Sequence, residues 1–110
     1  MTKIIKNELY ESLAQREFDL AETIRVIQHD RTIYWSWGVE KKVNYYDKAL
    51  ILIVNGHHHK GVLVITLAWN DTYSFHLIEK GKVKESVHEV YFDMLQELID
   101  NKIERIDSYN

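Results

Sequence analysis

Three consecutive histidines, His57, His58 and His59, are the first residues of the chain with an evident chemical capacity. In an extended backbone His57 and His59 share a face, and imidazole ligates zinc, nickel and copper. A zinc ion needs one or two further ligands, and His76 on the neighbouring predicted strand is the nearest. No H-E-x-x-H or related arrangement surrounds them. His57, His59 and His76 are thus weak metal candidates, and a polar hairpin turn rich in histidine is the simpler reading. No cofactor is expected.

A second group combines rings with cations. Tyr34, Trp35, Trp37, Tyr45 and Tyr46 are interleaved with Lys41, Lys42 and Lys48. Aromatic faces beside ammonium groups suit single-stranded nucleic acid, whose bases stack and whose phosphates pair. The same residue types dominate protein–protein hot spots. Alternation along the segment favours Trp35 and Trp37 as core residues, which leaves Lys41, Lys42, Tyr45, Tyr46 and Lys48 as an exposed partner- or nucleic-acid-binding loop.

The third group is acidic. Glu85, Glu89, Asp93, Glu97, Asp100, Glu104 and Asp107 recur at intervals of three or four. On a helix that spacing places them all on one side. A solvated face explains such a stripe, and so does an electrostatic docking surface for a basic protein. Residues 85–110 carry a net charge of −5, so residues 1–84 carry +2. The overall charge of −3 argues against a general nucleic-acid binder.

Enzyme signatures are missing from the chain. It has no phosphate-binding glycine loop, no dinucleotide fingerprint and no nucleophile elbow around Ser36, Ser74 or Ser86. Cysteine is absent, which removes disulfides, thiolate metal sites and thiol nucleophiles. A non-enzymatic role is the expectation.

The elements that must position these residues follow from periodicity. Ile5, Leu9 and Leu13 mark one helical stripe, and Asp19 with Glu22 forms a capping box opening a second helix lined by Leu20, Ile24 and Ile27. Alternation predicts strands at Ile33–Trp37, Ala49–Val54, Val62–Trp69 and Tyr73–Ile78, joined by turns at Asn55-Gly56, Asn70-Asp71 and Lys80-Gly81. Val39–Asp47 reads as a polar loop. Ser86 and Glu89 form a second capping box, and Val87, Val90, Tyr91, Met94, Leu95, Leu98 and Ile99 predict one apolar helix face. The expected fold is α+β. It comprises one domain, 1–110, with an N-terminal helical segment (1–29), a three- to four-stranded antiparallel meander (31–79) and a C-terminal amphipathic helix (86–106) packed on the sheet. The middle strands are apolar on both sides. Helices from the two ends of the chain would cover one face each; a second copy or a partner over one face is the alternative.

With 110 residues, 45% of them hydrophobic, the chain can bury a core without staples. No apolar run approaches the roughly 20 residues of a membrane span, and the start is too charged for a secretory leader. A cytoplasmic protein without membrane association is expected.

Trp35-Ser36-Trp37-Gly38, then Leu50, Val54 and Gly56, His59-Lys60-Gly61, Ile65-Thr66-Leu67, Asn70-Asp71-x-Tyr73 and Val90-Tyr91-x-Asp93-x-Leu95 form a pattern. It resembles a family of small α+β proteins encoded by Bacteroidota-type bacteria and by their phages and mobile elements. The resemblance spans residues 30–106 and brings no catalytic residues. It implies a mobile-element protein that binds a host or rival machine, as anti-CRISPR inhibitors do. The leading expectation is a protein-binding module that inhibits a nucleic-acid-handling defence enzyme, docking through Glu85, Glu89, Asp93, Glu97, Asp100 and Glu104 or through the aromatic and basic loop. An RNA or single-stranded DNA binder and a homodimeric structural domain are the alternatives.

Overall fold

The computed structural model describes residues 8–104. Ile5, Arg105, Ile106 and Asp107, on which parts of the terminal helix predictions rest, lie outside them. The elements in order are α1 (Glu8–Leu13), α2 (Leu20–Ile27), α3 (Arg31–Ser36), β1 (Lys41–Tyr45), β2 (Ala49–Asn55), β3 (Lys60–Leu67), β4 (Tyr73–Glu79), β5 (Lys82–Val90), a 3-10 turn (Phe92–Met94) and α4 (Leu95–Ile103). The strands form one antiparallel meander in sequence order. The α+β class and the C-terminal helix agree with expectation; the sheet has five strands where three to four were expected.

Three segments depart from the predicted elements. Residues 31–36 are helical, not a strand. The Asp30 carboxylate accepts from the amides of Thr32 and Ile33, which caps the short helix. Tyr34 and Trp37, three positions apart, are then buried while Trp35 is exposed. The sheet consequently begins at Lys41, inside the segment expected as a loop. It also runs on to Val90, because Lys80-Gly81 is a two-residue hairpin turn between paired Glu79 and Lys82, not the end of the sheet. Lys80 and Gly81 both have positive φ, 54° and 77°, the geometry that matches the twist of flanking strands. Residues 86–90 therefore lie in a strand, and the final helix starts only at Leu95.

The helices distribute differently from expectation. Leu50, Leu52, Val54, Leu63, Ile65, Phe75 and Leu77 form the main core with Leu20 and Ile27 of α2, Tyr34 and Trp37, and Leu95, Ile99 and Ile103 of α4. Helices from both ends of the chain thus share one sheet face. The opposite face buries Tyr45, Ala49, Ile51, Val64 and Ile78, with Leu9, Tyr10 and Leu13 of α1 against them. At the edge of the main core, a Cβ on Gly56 would run into the side chain of Ile103, so the β2–β3 turn and the end of α4 approach as closely as glycine permits. Among the described residues no helix is long and apolar enough to cross a membrane.

Candidate functional site

The acidic residues do not lie along one helix. Glu85 and Glu89 belong to β5, Asp93 to the 3-10 turn, Glu97 and Asp100 to α4, and Glu104 follows α4. Three of them hold the fold together. Glu85 pairs with Lys102, Asp100 accepts from the indole nitrogen of Trp37 at 3.0 Å, and Glu104 accepts from the His57 amide at 2.7 Å. Glu89, Asp93 and Glu97 make no side-chain hydrogen bond or ion pair among the described residues.

The chain geometry around these three has a local cause. Tyr73 pairs with Val90 and Phe75 with Val87, so β5 carries one extra residue between them. Glu89 sits in that bulge at φ 56°. A bulge bends its strand and re-aims the residues beyond it. Tyr91, Phe92 and Met94 consequently stand outside the core at 60%, 67% and 42% exposure, although helical periodicity had placed Tyr91 and Met94 on a buried face.

Phe92, Asp93 and Glu97 line a groove of about 490 Å³ whose other wall is Glu22, Arg25 and Val26 of α2, with His29 beyond. Gln96 fixes the spacing of the walls. Its side-chain nitrogen donates to the carbonyls of Ile27 (2.7 Å) and Asp30 (2.8 Å), and its oxygen accepts from the Asp30 amide (3.3 Å). Three carboxylates against one guanidinium make the groove acidic, with an exposed ring at its rim. Phe92, Glu22 and Gln96 were missed by sequence reasoning; the adjacent apolar pair Tyr91-Phe92, which no single helix face can bury, was the available signal.

The aromatic and basic loop is a strand and a tight turn. Lys41, Lys42 and Tyr45 lie in β1, at the sheet edge. Tyr45 is buried, its hydroxyl donating to Glu11 at 2.7 Å, so it offers no face to a base. Tyr46 is exposed in the turn at φ 51°, and Lys48 lies 3.9 Å from Glu11. The two adjacent tyrosines therefore do not form an exposed stacking platform.

The histidines also separate. His57 and His59 do not share a face, because residues 56–59 form a loop in which His57 is exposed and His59 buried. One His59 ring nitrogen, Nε2, lies 3.1 Å from the Val62 carbonyl, while its Nδ1 is buried with no partner among the described residues. Burial, foremost, lowers its pKa. His76 projects from β4 on the α1 side of the sheet, with Nδ1 2.8 Å from Ser86 Oγ, and His88 Nδ1 lies 3.0 Å from Ser74 Oγ. His76 Nε2 and Thr66 Oγ1 are buried and have no partner among the described residues. Burial, with the neighbouring His88 as a lesser cause, pushes the His76 pKa down to about 4. A nucleophilic hydroxyl needs its histidine oriented by a third group, and among the described residues neither of these histidines is hydrogen-bonded to a carboxylate. No group of three or more His, Cys, Asp or Glu side chains able to hold a metal occurs among the described residues.

No protein-family model, curated protein or solved structure matches the chain.

Proposed function

We propose that the chain is a non-enzymatic protein-binding module whose groove between α2 and the β5–α4 junction takes a basic segment of a partner protein. The observation that carries this reading is Phe92, an aromatic side chain 67% exposed at the rim of a groove bearing Glu22, Asp93 and Glu97. Isolated exposed rings are common; one set beside a concave acidic wall has the anatomy of a hot spot, an apolar anchor ringed by charge that selects the partner. The partner segment would bring an aliphatic or aromatic side chain to Phe92 and lysine or arginine to the carboxylates. The resemblance to mobile-element proteins narrows the class of partner to a nucleic-acid-handling defence enzyme of the cytoplasm, since such enzymes carry basic surfaces. In that setting the chain acts as an inhibitor, covering the surface the enzyme uses for its own substrate.

A displayed peptide library panned against the protein tests the groove. Enrichment of segments combining Lys or Arg with a large apolar residue, lost in Phe92→Ala and Glu97→Lys, is the expected result. Enrichment that both variants retain, or no enrichment, overturns the reading.

A further inference from the structure

A separate feature lies at the end of the sheet where the β2–β3 and β4–β5 turns come together. β3 and β4 pair through Val62 and Ile78, which brings His57, His58 and Lys60 beside Glu79 and Lys80. These five residues enclose a cleft of about 430 Å³. Lys84 stands at its side, its ammonium donating to the His58 carbonyl at 3.3 Å and lying 3.6 Å from Glu79. The one carboxylate in the cleft is thereby neutralised. Glu104, behind the loop, is occupied by the His57 amide. Lys60, Lys80 and Lys82 are exposed and enter no ion pair among the described residues. A chain of net charge −3 has thus gathered a local positive excess on two neighbouring turns. Like charges this close repel, and an anion in the cleft would offset that cost.

The imidazoles indicate which anion. His57 and His58 are exposed, with ring centroids 4.8 Å apart and planes at 80°. Their backbone is anchored to the end of α4: the His58 amide donates to the Ile103 carbonyl at 2.6 Å, and the His57 amide to Glu104. Planar rings carried on an anchored backbone beside ammonium groups offer stacking for a base and pairing for its phosphates, the combination that single strands use. An acidic peptide would use the lysines and leave the rings idle.

We infer that this cleft binds single-stranded nucleic acid, with Lys60 and Lys80 of its lining, and Lys82 outside it opposite Glu79 in the hairpin, on the phosphates and His57 or His58 against a base. The inference does not rest on the acidic groove, which is built from other residues.

Fluorescence anisotropy with end-labelled oligouridine and oligothymidine at low ionic strength tests it. Saturable binding is expected, with log K falling against log salt at a slope of about −2, as for roughly three phosphate contacts. Lys60→Gln/Lys80→Gln/Lys82→Gln should weaken binding about tenfold or more and flatten that slope. The charge-matched control Lys41→Gln/Lys42→Gln/Lys48→Gln should change it little. His57→Ala/His58→Ala should weaken binding several-fold with the slope retained, a signature of lost stacking. Circular dichroism of each variant establishes that it is folded. No binding at low salt, equal losses in the two lysine triples, or displacement by polyglutamate as effective as by unlabelled oligonucleotide would each overturn the inference. Failure here leaves the peptide-library result unaffected.

Discussion

The indole nitrogen of Trp37 donates to the carboxylate of Asp100 at 3.0 Å, tying the end of α3 to α4 across the top of the main core. Trp37 is fully buried in the folded protein, so its N–H loses its acceptor if the carboxylate is removed. Asp100→Ala should cost about 1–3 kcal/mol, the penalty for a buried donor left unsatisfied. Asp100→Asn, which keeps an acceptor oxygen, should recover part of that loss. Urea denaturation of the two variants makes the comparison, and peptide selection by the groove should be unchanged in both.

His76 makes stability depend on acid. Its pKa is about 4 in the folded protein against roughly 6.5 unfolded. Between those values the unfolded chain binds a proton that the folded one excludes. The stabilisation is therefore complete above about pH 6.5 and is lost progressively as the pH falls towards 4, by about 3 kcal/mol. His59, whose pKa is also lowered by burial, contributes in the same direction. His76→Gln retains a partner for Ser86 without a titrating group, so the urea midpoint should fall less between pH 7 and pH 4.5 than in the parent protein. An identical fall in both would remove His76 as a source of the dependence.

Gly56 and Ile103 define how closely α4 can approach the β2–β3 turn. Gly56→Ala puts a methyl group where the Ile103 side chain lies and should destabilise by about 1–3 kcal/mol through overpacking. Pairing it with Ile103→Ala should give less than the sum of the two single losses, because the second change removes the Cγ2 methyl group that the new methyl would meet.

Phe92 and Leu95 are three positions apart and should behave oppositely. Leu95 is fully buried, and Leu95→Ala should cost about 2–5 kcal/mol. Phe92 is mostly exposed, and Phe92→Ala should leave the thermal midpoint nearly unchanged while abolishing selection of basic–apolar peptides. A large stability loss in Phe92→Ala would mean that the ring serves packing and not a partner.

Local pattern was sufficient for the apolar strands β2, β3 and β4, for the capped start of α2 at Asp19, and for the turns that make a meander unavoidable. Those features depend on neighbours in the chain: period-two alternation, a carboxylate near unsatisfied amides, and connections too short for a crossover. The short runs at residues 31–37 and 82–90 were different. Thr32–Trp37 alternates as a strand would, yet Asp30 caps it and burial of Tyr34 and Trp37 against α4 selects the helix. Residues 86–90 carry a capping-box spacing, yet β4 needed a partner for its backbone, and the Lys80-Gly81 turn delivered one. Segments of six to nine residues hold too few periods to distinguish helix from strand, so contacts distant in sequence decide. The surfaces depend on distant contacts in the same way. Which acids are free, which tyrosine is buried and which lysines stand together depend on register and on the bulge at Glu89, and these exist only once the strands have paired.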